Sequence, residues 1–186
     1  MARTSSNMLD LGTKAPNFTL PNAVDGNSLS FSDVCGKNGT VVMFICNHCP
    51  YVKHVFGGIT SLANDYQSKG VGFVAISSND VENYPDDSPE LMKKTAQEQG
   101  YTFPYLYDES QETAKAYDAA CTPDFYLFDA KQLLVYRGQM DDSRPKNGIP
   151  VTGKDLRTAL NALLSGSAIG PIQKPSLGCN IKWKVS

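Results

Sequence analysis

The stretch from Thr40 to Gln67 constrains the fold most, because a strand, two cysteines and a helix follow one another in it without a break. Residues 40–45 are apolar or β-branched and carry no charge, which is typical of a strand buried on both faces. From Val52 to Tyr66, apolar residues recur at spacings of three and four, which predicts an amphipathic helix. Pro50 suits the first turn of this helix, because a proline there loses no hydrogen bond. The two cysteines therefore lie where the strand ends and the helix begins.

Cys46 and Cys49 form a Cys-x-x-Cys pair whose position predicts a dithiol–disulfide switch. A thiol reacts as its thiolate, and the N–H groups at a helix N-terminus stabilise this anion. We expect Cys46, as the more N-terminal and more exposed cysteine, to be the attacking thiolate. Cys49 is close enough to resolve a mixed disulfide on Cys46. His48, when protonated, would stabilise the Cys46 thiolate, which favours the reduced form and makes the pair more oxidising.

The same stretch resembles the redox centre of the thioredoxin superfamily, and its wider run resembles the peroxiredoxin-like (redoxin, AhpC/TSA-type) branch. That run is CNHCPYVKH at residues 46–54, and the Gly-x-x-Ala-Pro-x-Phe-x-Leu pattern at residues 12–20 is similar to the opening of peroxiredoxins. The resemblance implies an α/β, thioredoxin-like fold with a central mixed β-sheet flanked by helices. It also implies that Pro123 is a cis proline beside the cysteines, and that Thr122 and Pro123 hold the substrate.

Residues 1–186 are predicted to form one thioredoxin-like domain, since a chain of 186 residues with 41% hydrophobic content can bury one core. Residues 1–10 are expected to be a flexible leader, and residues 18–31 an N-terminal β-hairpin around a polar turn. Residues 167–186 are an extended C-terminal tail without helical period. Because this tail contains Cys179 and the only tryptophan, we expect it to pack on the domain.

Three further cysteines and a second histidine are candidate accessory or packing residues. An odd number of cysteines in a reducing compartment favours catalysis or redox sensing over a disulfide framework. Cys35 is expected to be a small buried residue. Cys121 is either a third redox thiol or a packing residue, and Cys179 is either a resolving thiol or a buried anchor. His54 is a candidate proton acceptor for the pair, and the polar loop at 79–88 is expected to border the site.

Composition excludes several classes of function. The net charge is -2, and the 17 basic and 19 acidic residues are evenly mixed, so we expect no nucleic-acid partner. No apolar run approaches the roughly 20 residues of a membrane span, and the first residues lack the apolar core of a signal peptide, which predicts a cytoplasmic protein. The Cys-x-x-Cys motif lacks the second ligand pair of a structural zinc site. We therefore expect neither a metal nor a bound cofactor.

The sequence thus predicts a thiol–disulfide oxidoreductase of cell redox homeostasis. It would act on protein or small-molecule thiols and disulfides, as a monomer or weak dimer. The first alternative is a peroxiredoxin-like antioxidant peroxidase, with Cys46 as the peroxidatic cysteine and peroxide as substrate. Against it, Gly39 and Met43 stand where peroxiredoxins carry the proline and threonine of their peroxide site. The second alternative is a redox-sensing binding module, whose disulfide changes its partners without turnover.

Overall fold

The computed structural model describes residues 3–185, and strands and helices follow one another along most of them. The strands are β1 (Arg3–Ser5), β2 (Thr19–Pro21), β3 (Ser28–Ser30), β4 (Gly39–Phe44), β5 (Val71–Ser77), β6 (Tyr105–Tyr107), β7 (Cys121–Thr122), β8 (Asp124–Asp129), β9 (Leu134–Gly138) and β10 (Leu177–Asn180). The α-helices are α1 (Phe31–Val34), α2 (Pro50–Gln67), α3 (Pro89–Glu98), α4 (Glu112–Ala116) and α5 (Lys154–Ser165), and a short 3-10 helix spans Pro85–Asp87.

The central sheet has five strands in the order β6-β5-β4-β8-β9. Strands β4, β5 and β6 are parallel, whereas β8 runs antiparallel to β4, and β9 antiparallel to β8. Strand β4 lies in the middle and is buried along its whole length, as its unbroken apolar run predicts. Helix α2 begins at Pro50, so the predicted strand–cysteines–helix order is confirmed.

Separate apolar clusters cover the two faces of the central sheet. Val41 and Met43 of β4 pack on the face that α2 covers, together with both cysteines of the motif. Val42 and Phe44 point to the opposite face, where Phe44 contacts the ring of Tyr117. This alternation is that of a strand between two layers. The mixed sheet between two layers is the architecture that the resemblance implied.

A second sheet, in the order β1-β10-β7, brings both ends of the described chain beside the central sheet. The flexible leader predicted at residues 1–10 is wrong for residues 3–6. Residues 3–5 pair antiparallel with β10, and the Ser6 hydroxyl donates to Asp124 at 2.8 Å. The residues of this strand carry no apolar period that would predict it, because a short polar strand is fixed by its distant partner. Residues 1 and 2 lie outside the described part of the chain.

The predicted N-terminal hairpin and C-terminal tail both lie against this framework. Strands β2 and β3 pair antiparallel, with Leu20 opposite Leu29. In the tail, β10 lies between β1 and β7, so residues 177–180 are part of a sheet. Between residues 3 and 185, no helix has both the length and the apolar composition that crossing a membrane requires.

Candidate active site

The two cysteines of the motif are reduced, buried and in contact with each other. Cys46 follows β4, and Cys49 is the N-cap residue of α2. The interaction between the two thiols raises the pKa of Cys46 and lowers the pKa of Cys49. Thr122 contacts both sulfur atoms: its Oγ1 is 3.4 Å from Cys46 Sγ, and its carbonyl oxygen is 3.2 Å from Cys49 Sγ. The pair therefore faces the cis peptide bond between Thr122 and Pro123, which confirms the predicted cis proline.

Several donors converge on the sulfur of Cys49. The hydrogen bond from Cys46 lowers the pKa of Cys49 most, while burial opposes this effect. Cys179 and the N–H group of Val52 lower this pKa further, and the Val52 N–H donates its hydrogen bond to the carbonyl oxygen of Cys49 at 3.1 Å. Together these groups lower the pKa of Cys49 to about 5, and the Cys49 thiol donates a hydrogen bond to the carbonyl oxygen of Thr122.

Cys46 has the opposite environment. Burial raises the pKa of Cys46 well above its usual value, and the hydrogen bond to Cys49 and the carboxylate of Asp87 raise it further. Both thiols are almost fully buried, with relative exposures of 1% for Cys46 and 0% for Cys49. In the reduced pair the lower pKa belongs to Cys49, and attack by Cys46 stays a prediction.

His48 is held by a buried carboxylate, Asp87. Its Nδ1 is 2.6 Å from Asp87 Oδ2, and Asn79 donates to the same oxygen at 2.7 Å. Asp87 Oδ1 accepts from the main-chain N–H groups of Asn47 and His48 at 2.8 and 3.1 Å. Burial opposes ionisation of Asp87, but these hydrogen bonds outweigh it and keep the pKa of its carboxyl below the usual range. One donor atom each of Cys46, His48 and Asp87 lies within 4.8 Å of the others.

This arrangement places an imidazole–carboxylate pair beside the thiol of Cys46. The His48 ring stacks on Tyr84 with 5.5 Å between centroids, and its Nε2 is buried without a hydrogen-bond partner within residues 3–185. Sulfur, imidazole and carboxylate are also the donors that bind zinc. Two ligands of one tetrahedral zinc ion lie roughly 3.3 Å apart, however, so the 2.6 Å contact of His48 with Asp87 is a hydrogen bond and not a ligand pair. As arranged, the group can transfer a proton.

Asp87, Asn79 and Tyr84 are site residues that the sequence analysis did not identify. The loop at 79–88 was expected to border the site, and the structure confirms that position. Which of its acidic residues faces inward was not visible in the sequence, because Asp86 and Asp87 are neighbours of the same type. Of these two neighbours, Asp87 is buried and Asp86 is exposed.

The remaining predicted residues lie at different distances from the thiols. Thr122 is 3% exposed and its main chain pairs with Cys179 of β10, so it is covered rather than presented to solvent. His54 instead bonds Ser143, with its Nε2 2.7 Å from the hydroxyl. The structure therefore does not bring His54 to the cysteine pair.

The other three cysteines differ sharply in position. Cys179 is 4% exposed and contacts Cys49, as described above. Cys121 is buried, and its sulfur lies 3.8 Å from the carbonyl oxygen of Pro123. The prediction that Cys35 is buried is wrong, because α1 is a single turn that ends at Val34 and leaves Cys35 exposed.

Comparison with known proteins assigns the chain to a family. Residues 11–137 match the model of the AhpC/TSA family. A protein of Mycobacterium tuberculosis strain H37Rv named "putative peroxiredoxin" is 34% identical over 116 residues, which cover 62% of this chain and 68% of that protein. The chain therefore belongs to the AhpC/TSA family, in the peroxiredoxin-like branch of the thioredoxin superfamily.

Solved structures agree with this assignment. A conserved protein from Geobacillus kaustophilus, described as uncharacterized, is 63% identical with a TM-score of 0.98, and the match covers 100% of this chain and 98% of that one. The thioredoxin domain of a thiol-disulfide oxidoreductase from Bacteroides vulgatus is 22% identical with a TM-score of 0.59, covering 73% of this chain and 90% of that one. The second likeness shows the fold alone, and it confirms the predicted thioredoxin-like fold. Family and fold together define an oxidoreductase of a thioredoxin-like redox family.

Proposed function

We propose that this protein is a thiol–disulfide oxidoreductase that acts through Cys46 and Cys49. The observation that carries the proposal is that one residue, Thr122, contacts the sulfur atoms of both cysteines at the N-terminus of α2. Thiols in contact can form a disulfide after a local rearrangement, and the pair then holds or donates two electrons. Its substrates are disulfides of proteins or small molecules, and the reaction requires no metal or bound cofactor.

The first step is attack by Cys46 on the substrate disulfide. His48 takes the proton of Cys46, and Asp87 stabilises the imidazolium that results. A bond forms between Cys46 and one substrate sulfur, while the other substrate sulfur leaves with the electron pair and receives the proton from His48. Cys46 suits this role because its neighbour His48 is partly exposed, at 11% of its side chain, beside Tyr84. Substrate approaches the pair across these two rings.

The second step is resolution by Cys49. Once Cys46 is in the mixed disulfide, the contact of Cys49 with the Cys46 thiol is lost, while Cys179 and the Val52 N–H still lower the pKa of Cys49 and favour its thiolate. Cys49 attacks the sulfur of Cys46, forms the Cys46–Cys49 disulfide and releases the second substrate thiolate. The lowered pKa of Cys49 thus supports a resolving role. From the sequence, this role needed a candidate proton acceptor such as His54.

The surroundings of Cys46 favour this reaction over peroxide reduction. A peroxidatic site stabilises the departing oxygen with fixed positive donors. Here the charged neighbour of Cys46 is the carboxylate of Asp87. Three arginines are bonded elsewhere: Arg137 to Leu9 and Gln173, Arg144 to Gln139, and Arg157 to Asp65. These contacts support a disulfide as the substrate.

Two rates measured on one sample of reduced protein test the proposal. We expect clear reduction of insulin disulfides and slow oxidation of Cys46 by hydrogen peroxide. Fast peroxide oxidation that Cys46→Ser abolishes, without insulin reduction, would instead establish a thiol peroxidase. If both rates equal those of the Cys46→Ser variant, the protein does not turn over either substrate, and a redox-sensing role replaces the proposal.

A further inference from the structure

A third thiol completes a contiguous group of sulfurs at the site. Cys179 is buried, it belongs to the same apolar cluster as Cys46 and Cys49, and its thiol and that of Cys49 shift each other's pKa. Cys49 therefore has one cysteine on each side of it. Of these two neighbours of Cys49, the reaction proposed above uses Cys46, and it gives Cys179 no role.

The fold holds Cys179 in this place through the pairing of β10 with β7. Cys179 lies opposite Thr122, whose carbonyl oxygen is 3.2 Å from Cys49 Sγ. Gly178 is the residue that allows this approach, since a Cβ on it would lie 1.9 Å from the carbonyl oxygen of Thr122. Strand β1 pairs with the other edge of β10, with Arg3 opposite Cys179. Cys179 is thus fixed by neighbours on both edges and does not reach Cys49 by chance motion of a loose tail.

We propose that Cys179 is a third redox thiol that exchanges with the Cys46–Cys49 disulfide by attacking Cys49. This inference rests on the proposed function. In the exchange, a bond forms between the sulfurs of Cys179 and Cys49, and the bond between Cys49 and Cys46 breaks. The electron pair leaves on Cys46, and the proton of Cys179 passes to the Cys46 thiolate. No external oxidant or reductant is consumed, because the protein only changes which of its three sulfurs is free.

The electrostatics of the tail change in favour of this step once Cys49 is oxidised. In the reduced protein, burial raises the pKa of Cys179 to about 12, and the hydrogen bond to Cys49 and its negative charge contribute. In the disulfide, Cys49 carries no charge, so the last two causes disappear. The ammonium group of Lys182, which lowers the pKa of Cys179, remains. Oxidation of the pair therefore makes Cys179 a better nucleophile at the moment when its target becomes a disulfide.

The exchange has a functional consequence. In the Cys46–Cys49 isomer the cysteine outside the disulfide is the buried Cys179, whereas in the Cys49–Cys179 isomer it is Cys46 beside His48. An oxidised molecule with a free Cys46 can attack a second disulfide, so it can rearrange substrate disulfides as well as reduce them. The isomer also ties the tail covalently to α2.

Disulfide mapping of the full-length protein tests this inference. A Cys35→Ser background removes the exposed thiol, and oxidised glutathione serves as the oxidant. After acid quenching, alkylation and digestion with trypsin, Cys46 and Cys49 lie in peptide 38–53 and Cys179 in peptide 158–182. We expect a cross-linked species of these two peptides in the oxidised protein. We expect it also in Cys46→Ser, where only the Cys49–Cys179 bond can form, and its loss in Cys179→Ser.

Cys121→Ser is the matched control, because Cys121 is also buried and lies on β7 opposite Asn180, next to the pair formed by Cys179 and Thr122. It should leave the cross-link unchanged. A protein that reduces insulin and forms the Cys46–Cys49 disulfide, yet gives no cross-link in either the parent or the Cys46→Ser variant, would overturn the third-thiol inference alone. A protein that forms neither disulfide and reduces no insulin would overturn the proposed function as well. Because the parent protein already gives a decisive result, the test does not depend on the folding of a variant.

Discussion

Two regions of the chain enclose the cysteine pair, and they act on its two sulfurs in opposite ways. The loop at 79–88 brings Asp87 to Cys46, so that a carboxylate and an imidazole adjoin the sulfur with the raised pKa. The tail at 177–180 brings N–H and S–H donors to Cys49, the sulfur whose pKa is lowered to about 5. The loop at 79–88, the loop side, therefore provides groups that transfer protons. The tail at 177–180, the tail side, stabilises negative charge and supplies another sulfur. The reactivity of a Cys-x-x-Cys pair therefore depends on what packs against each cysteine as much as on the motif.

Loss of either sulfur of the pair should have the largest effect. Cys46→Ser should abolish insulin reduction down to the uncatalysed rate, because the hydroxyl is a poor nucleophile that forms no disulfide. Cys49→Ser should also lose turnover but should accumulate a mixed disulfide on Cys46, since nothing resolves it. Non-reducing electrophoresis after addition of a disulfide-containing protein measures this accumulation. A mixed disulfide on Cys49 in the Cys46→Ser variant, at equal yield, would reverse the assigned roles.

The buried carboxyl group of Asp124 should make the stability of the protein depend on pH. Burial raises the pKa of Asp124 to about 7, while hydrogen bonds from Ser6 and Tyr126 oppose the shift. The folded protein thus binds this proton more tightly than the unfolded chain, so the stabilisation is complete below about pH 4 and is lost as pH rises through about 7. The full effect is at most roughly 4 kcal/mol in the free energy of unfolding. Urea unfolding between about pH 4 and pH 8 should show this decline in the parent protein and a flatter profile in Asp124→Asn.

An equal pH dependence in both proteins would show that Asp124 is not the group responsible. The experiment also distinguishes Asp124 from Asp87. The pKa of Asp87 is lowered, so its contribution to the free energy of unfolding changes with pH in the opposite direction. Its contribution is present above the unfolded pKa and is lost as pH falls through the lower folded value.

The loop side is tested by Asp87→Asn. The amide no longer stabilises an imidazolium at His48, so we expect insulin reduction to fall by about 10²-fold, which is typical for loss of general acid–base assistance. The pH profile of the reaction should change at the same time, which a purely structural defect would not cause. Asp86→Asn is the matched control, because Asp86 is the exposed neighbour in the same 3-10 helix. If both variants retain the parent rate and pH profile, His48 and Asp87 do not transfer the proton.

The tail side is tested by Gly178→Ala, which should have the smallest effect. Its Cβ would clash with the carbonyl oxygen of Thr122, so β10 must shift away from β7, at a cost of about 2 kcal/mol in the free energy of unfolding. The shift also withdraws the Cys179 donors, so the pKa of Cys49 should rise, as measured by the pH dependence of thiolate absorbance. Gly170→Ala is the control in the same tail, since a Cβ there meets no atom within 4 Å. An unchanged pKa with a destabilised protein would mean that Cys179 does not tune Cys49.

The parts of the site that could be predicted from the sequence are those encoded by neighbouring residues. The apolar run of β4, the spacing of Cys46 and Cys49, and Pro50 at the start of α2 lie within one continuous stretch. The cis proline at Pro123 came from resemblance to a family and was confirmed by the structure. These features depend little on the rest of the chain.

The parts that escaped prediction depend on distant partners. Arg3 lies in a strand because β10 is there to pair with it, and no periodicity in a few polar residues signals this. Asp87 becomes a site residue because its carboxylate meets the N–H groups of residues about 40 positions earlier in the chain. The pKa values of Cys46 and Cys49 depend on tertiary structure in the same way. Burial and the carboxylate of Asp87 raise the pKa of Cys46, whereas contacts with Cys46 and Cys179 lower the pKa of Cys49.

The most direct test of the central claim is an equilibrium titration of Cys49 with glutathione redox buffers. Samples are quenched in acid, unfolded and alkylated, and peptide 38–53 is analysed by mass spectrometry for the fraction of Cys49 held in an intramolecular disulfide. Both disulfides proposed here include Cys49, so the readout covers the whole switch. We predict one reversible two-electron transition from a fully alkylated to a fully protected Cys49. A Cys49 that stays alkylatable even in oxidised glutathione, or is only glutathionylated, would contradict the account.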